Sequence, residues 1–158
     1  RYGAMTNPVI GGIRTAAMFL TGRFQFDDAM VGKQLKTDDG AVFTIFRRVA
    51  VKTRQRETAG AYFLVRFRPA GISPRDNVKF SRLPMMVFMG FRGFRSKYWA
   101  VDYDTGLCQG LYEWQTVDDA RNYARSIAMR FMARRSDPDS VWFRVVDRSK
   151  DALGYEIC

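Results

Sequence analysis

The run Phe94-Arg95-Ser96-Lys97-Tyr98-Trp99-Ala100-Val101, then Asp102-Tyr103-Asp104-Thr105-Gly106, then Leu107-Cys108-Gln109-Gly110-Leu111-Tyr112-Glu113-Trp114-Gln115 decides the fold. Aromatic and branched residues on both sides of a short polar turn ending in glycine predict two antiparallel strands, 94–101 and 107–115. Towards the N-terminus, Ser73-Pro74-Arg75-Asp76 reads as a helix start, with serine as N-cap, proline at the first position and an acid three residues on. Val78, Leu83, Met86 and Val87 continue an apolar stripe, with a break expected near Pro84. Before that helix, Ala61–Arg68 alternates as a strand does: Phe63, Val65 and Phe67 on one face, Tyr62, Leu64, Arg66 and Arg68 on the other. Towards the C-terminus, Thr116-Val117-Asp118-Asp119 is a capping box. In the helix it opens, Val117, Ala120, Tyr123, Ala124, Ile127 and Phe131 recur at helical spacing. Asp137-Pro138 ends that helix, and Val141–Val146 reads as a last strand.

From residue 61 the order is β-α-β-β-α-β. It predicts an α+β protein of the ferredoxin-like class, an antiparallel sheet with two helices on one face. Ahead of it, Thr37-Asp38-Asp39-Gly40 between two extended runs predicts a β-hairpin within 33–52. Residues 33–158 thus read as one domain. Residues 1–32, interrupted by Gly11, Gly12 and Gly22, read as an arm packing on the body or on a partner.

Composition narrows the function. The chain has 158 residues, 47% of them hydrophobic and 15% aromatic, which excludes a disordered chain. No window is apolar for long enough to span a membrane, so no membrane association is expected. The absence of histidine rules out a Ser-His-Asp triad, a His-bound zinc and a His-ligated haem. Two cysteines, Cys108 and Cys158, stand far apart in no metal-ligand spacing; no metal site is expected, and a reducing, cytoplasmic setting is the simpler reading. The net charge is +10, carried by 20 Arg and 6 Lys against 16 acids. Its densest stretch, Arg47, Arg48, Lys52, Arg54 and Arg56, would suit an anionic partner, but a solvated strand end and loop is the simpler reading.

Closing the 102–106 turn symmetrically pairs Arg95 with Glu113, Lys97 with Leu111 and Trp99 with Gln109. Phe94, Tyr98, Tyr112 and Trp114 then lie under the helices. Arg95, Lys97, Trp99, Gln109 and Glu113 share the opposite face with Tyr62, Arg66, Arg68, Trp142 and Arg144. A bulge would shift this register by one and flip one strand. A face mixing large aromatics with cations suits a subunit interface or a small-molecule pocket.

Gly93-Phe94-Arg95-Ser96-Lys97-Tyr98-Trp99, Asp102, Thr105-Gly106 and Gly110-Leu111-Tyr112-Glu113-Trp114 together resemble the YdhR-like group of monooxygenases, related to the antibiotic-biosynthesis monooxygenases. The resemblance covers roughly residues 61–147. It implies a dimeric α+β barrel, that is, a homodimer whose two sheets face each other, each subunit with a small-molecule pocket between sheet and helices or within the barrel. It further implies oxidation without metal, flavin or other cofactor, the substrate carbanion itself reacting with oxygen.

The residues themselves offer matching chemistry. Lys97, Glu113 and Tyr62 are the candidate catalytic groups: a cation to stabilise a phenolate or enolate, and two proton acceptors. Arg66, Trp99, Trp142 and Arg144 are the candidate substrate-binding groups, two flat walls and two cations for a planar anionic or phenolic ligand. An alternative is a non-enzymatic dimeric ligand-binding or scaffold protein that uses the arm as its partner-binding element. Nucleic acid is disfavoured. Arg92-Gly93-Phe94-Arg95-Ser96-Lys97-Tyr98-Trp99 fails the RNA-recognition pattern at Arg95, Ser96 and Lys97, and lies on the wrong strand for it.

Overall fold

Period-two alternation of apolar residues builds a sheet with two buried faces, and the chain fills each face differently. In this computed structural model the described residues are 23–52, 58–80 and 91–158, together with Ile13. The strands are β1 (Phe24–Phe26), β2 (Gln34–Thr37), β3 (Val42–Val51), β4 (Ala61–Phe67), β5 (Phe94–Val101), β6 (Cys108–Trp114), β7 (Trp142–Asp147) and β8 (Tyr155–Ile157). The helices are α1 (Pro74–Phe80), α2 (Val117–Ala124) and α3 (Ile127–Arg134). The strands form one eight-stranded sheet in the order β7-β4-β6-β5-β3-β2-β8, with β1 pairing β3 off this path. All the pairings are antiparallel.

Strands β7-β4-β6-β5 have the ferredoxin-like order, produced by two interleaved β-α-β crossings. The remaining strands continue from the edge of β5. Residues 24–26, expected in the arm, instead add a short strand along β3. The other arm residues, apart from Ile13 and 23–32, lie outside the described residues, as do Leu83, Met86, Val87 and the break expected at Pro84.

Under the helices, Phe63, Val65, Tyr112 and Trp114 of the sheet pack against Ala120, Tyr123, Ala128 and Met129 of α2 and α3. The other face is closed by the chain itself. The sheet curls until β2 and β8 oppose β4, so that Leu35, Phe43, Ile45, Tyr62, Leu64, Tyr98, Leu111 and Val146 share a second core. Tyr62 meets Tyr155 edge-on at 5.5 Å across that gap.

The long helix expected after Thr116 is two helices. Thr116 caps α2 by accepting from the Asp119 amide, as expected, but the chain turns at Arg125 and Ser126 caps α3 by accepting from the Met129 amide. A serine whose side chain satisfies an orphan amide favours a cap over a helix interior. The restart rotates the apolar stripe. Ala128 and Met129 are buried, whereas Ile127 and Phe131, expected in the core, are 52% and 50% exposed.

The hairpin register also differs from the symmetric closure. The Asp102 amide donates to the Leu107 carbonyl, leaving a loop of Tyr103-Asp104-Thr105-Gly106 with Gly106 at φ 74°. Glycine supplies that left-handed conformation without a Cβ penalty. The pairs are therefore Lys97 with Tyr112 and Trp99 with Gly110, and Glu113 faces Ser96 in place of Arg95. A β-bulge between Phe94 and Ser96 restores Phe94 opposite Trp114. Phe94, Tyr112 and Trp114 stay under the helices as expected, but the rest of β5 is inverted. Lys97 and Trp99 move to the helix side, and Tyr98 moves to the second core.

Candidate functional site

Inverting β5 divides the expected site between two faces of the sheet. Tyr62, Glu113, Arg66, Trp142 and Arg144 remain on the curled face. There Tyr62 pairs with Glu113 across β4 and β6 and accepts a hydrogen bond from Arg148 Nη1 at 3.1 Å. Arg66 donates to Gln109 Oε1 at 3.0 Å, Thr37 Oγ1 at 3.0 Å and Asp39 Oδ2 at 2.6 Å, and its guanidinium lies over the Phe43 and Trp142 rings. The Arg66 hydrogen bond, with Thr37, holds the Asp39 carboxyl well below the usual carboxylate range. Arg144 pairs with Asp38 at 3.6 Å and donates to the Ala152 carbonyl. These cations tie the 37–40 turn and the 148–154 segment onto β4 and β7. Replacing Arg66 by methionine is therefore expected to speed amide exchange at Leu35 and Phe43 while leaving aromatic-ligand affinity unchanged. Exchange mass spectrometry and a fluorescence titration would read the two effects.

Lys97 and Trp99 meet on the helix side, at a cavity of about 280 Å³. Phe46, Phe67, Ile72, Trp99, Phe131 and Met132 give it apolar walls, and Lys97, Asn77 and Cys108 also line it. The Ala70 amide donates to the Arg135 carbonyl at 2.9 Å, joining the 69–72 turn to the end of α3 on one side of the cavity.

The floor of the cavity is built by cross-strand neighbours. Lys97 on β5 and Tyr112 on β6 are register partners, so their side chains rise together. Lys97 Nζ donates to Tyr112 Oη at 2.6 Å, and Tyr112 Oη shares a hydrogen bond of 2.9 Å with Tyr123 Oη of α2. Nζ also sits 4.4 Å from the Trp99 ring centroid and 4.3 Å from that of Tyr112. Lys97 is 4% exposed. Burial, followed by the nearby Arg47 guanidinium, pushes its pKa well below the ordinary lysine value. Burial likewise raises both tyrosine hydroxyls, which therefore keep their protons.

Gly110 makes room for this arrangement. A Cβ there would fall 2.9 Å from Val65 Cγ1, 3.1 Å from Tyr112 Cε2 and 3.7 Å from Lys97 Cε. Beside it, Cys108 accepts a hydrogen bond from Asn77 Nδ2 of α1 at 3.1 Å, and burial pushes its thiol up to about 12. Arg47, over the Trp99 ring at 5.5 Å, donates to the Val78 carbonyl of α1.

Sequence reasoning missed Tyr112, Tyr123, Asn77, Cys108 and Gly110 as site residues. Tyr112 and Tyr123 were legible as core positions, and the correct turn closure would have placed Lys97 beside them. Among the described residues no cluster of His, Cys, Asp or Glu could hold a metal ion. No helix among them is long and apolar enough to cross a membrane.

No protein-family model and no curated protein sequence matches the chain. Solved structures do match in fold. An uncharacterized ferredoxin-fold protein related to antibiotic biosynthesis monooxygenases, from Listeria monocytogenes, aligns with a TM-score of 0.51 at 6% identity, covering 67% of this chain and 63% of that one. A monooxygenase-like protein from Listeria innocua aligns with a TM-score of 0.53 at 6% identity, covering 72% of this chain and 67% of that one. This chain thus spans less than two thirds of the first of these. At such identity the likeness is one of architecture alone: a ferredoxin-like α+β sheet.

Proposed function

We propose that the chain binds a small planar phenolic or enolic molecule in the cavity beneath the helices, and that Lys97 accepts its acidic proton. The observation that carries this reading is Lys97 itself, an amine buried on an apolar floor between the Trp99 and Tyr112 rings. A neutral amine there takes up the proton and becomes the cation that stabilises the resulting phenolate, in a setting with little water to screen the pair. Trp99 supplies a flat wall for the ring. A cavity of about 280 Å³ suits a ligand of one or two rings.

The fold kinship and the resemblance of the Gly93–Trp99 and Gly110–Trp114 runs to YdhR-like proteins support an oxygenase as the reaction class. Deprotonation makes the substrate electron-rich enough to react with dioxygen directly. A ring C–H or CH₂ position becomes a carbonyl, one oxygen atom entering the product and the other leaving as water, so the substrate supplies all the electrons. Lys97, protonated in the first step, returns its proton to the departing oxygen. Both cysteines are unpaired, in keeping with a reducing cytoplasmic setting. A homodimer would form through a surface other than the curled face, which β2, β3 and β8 already fill.

An oxygen-electrode screen of hydroxylated one- and two-ring aromatics, with Trp fluorescence to follow binding, tests this reading. Saturable quenching and oxygen uptake are expected, the uptake falling about 100-fold or more in Lys97→Met. Absence of saturable binding by every member of the panel would overturn it.

A further inference from the structure

We infer that Lys97 also captures carbonyl ligands: the cavity takes a small aromatic aldehyde or ketone and holds it as an imine on Nζ. The inference rests on the cavity reading above and adds a covalent chemistry to it. A lysine becomes a nucleophile when an apolar pocket desolvates it and a second cation stands near. Both conditions meet at Lys97. Its stem lies within reach of the bare Cα of Gly110, its head is flanked by the Trp99 and Tyr112 rings, and the Arg47 guanidinium, 5.5 Å from the Trp99 ring centroid, disfavours a second positive charge. The other lysines, Lys33, Lys36, Lys52, Lys79 and Lys150, are exposed.

The step balances without any co-reactant. The Nζ lone pair adds to the carbonyl carbon while the C=O π pair moves to oxygen. That oxygen takes up a proton as nitrogen gives one up, leaving a carbinolamine. Loss of the second N–H proton and of the hydroxyl, as water, leaves C=N. The Tyr112 hydroxyl, 2.6 Å from Nζ and backed by Tyr123, is placed to pass those protons. The Cys108 thiol, which also lines the cavity, does not compete. Burial holds it protonated, and Asn77 occupies its sulfur.

The test uses the intact chain with 2-hydroxybenzaldehyde and sodium cyanoborohydride at pH 7, followed by peptide mapping. The reductant traps any imine as a secondary amine. Trapping is expected at Lys97 at least about tenfold faster than at any exposed lysine, since an amine desolvated in an apolar pocket is the better nucleophile. An excess of 2-hydroxybenzyl alcohol, which fits the same space but cannot condense, is expected to suppress it. If the alcohol binds but the adduct falls on exposed lysines with Lys97 unmodified, the carbonyl chemistry is overturned while the ligand-binding reading stands. If neither compound binds and Lys97 is unmodified, both are overturned.

Discussion

Lys97→Met is expected to raise the stability of the fold at neutral pH by about 1–3 kcal/mol and to abolish ligand binding at the cavity floor. Methionine matches the lysine stem in length and bulk, and it removes the need to bury an amine away from water. Tyr112 loses one hydrogen bond but keeps Tyr123, so no hydroxyl is orphaned. The pH dependence identifies the cause. Burial and Arg47 depress Lys97 in the folded state, so between its folded and unfolded pKa values the unfolded chain binds the extra proton. Wild-type stability therefore rises with pH across that window and flattens below the folded value, where both states are protonated. Lys97→Met lacks this slope, and its advantage shrinks as pH climbs towards the ordinary lysine value. Urea midpoints of the two proteins at several pH values between 7 and 10 would measure the difference.

Trp114→Ala has the largest destabilising effect expected of a single change, about 3–5 kcal/mol against a typical total of ~5–15. Trp114 is fully buried at the end of β6, in edge contact with Phe94 at 5.8 Å and tilted against Tyr123 at 5.2 Å. Its ring stacks parallel to Tyr112 at 6.2 Å. Truncation leaves a cavity that the surrounding rings fill poorly, because each is held by its own strand or helix. Calorimetry should show the melting midpoint falling by on the order of 10 °C. The loss should also reach function. Tyr112 and Tyr123 are among the rings that Trp114 supports, and their hydroxyls carry the hydrogen-bond chain from Lys97.

The order of elements was legible because each has local punctuation: Ser73-Pro74 and Thr116 for helix starts, Asp38-Asp39-Gly40 and Thr105-Gly106 for turns. The β-α-β-β-α-β reading from residue 61 follows from that punctuation and agrees with the ferredoxin-like sheet. What depended on one residue of register was not legible. The hairpin closes on Asp102 and Leu107, with a compensating bulge at Phe94–Ser96, and the shift carries Lys97 and Trp99 from one face to the other. Period-two side chains make that error all-or-none along a strand. The Ser126 cap was hidden differently, since Ile127 and Phe131 continue the stripe of α2 and their exposure follows from the break alone. The curl that brings β8 over Tyr62 depends on contacts distant in sequence, and no local pattern announces it. Lys97 and Trp99, read together as site residues, do stand side by side, but on the face opposite to the one expected.

A direct titration of the lysine side chains decides whether Lys97 is the buried amine on which this account turns. The chain has six lysines. With the lysine side chains carbon-13 labelled, the six εCH₂ signals can be followed against pH by NMR and that of Lys97 assigned by its absence in Lys97→Met. One signal is predicted to titrate well below the other five and to shift on addition of a phenolic ligand at constant pH. Six signals titrating together at the ordinary lysine value, unmoved by ligand, would contradict the account.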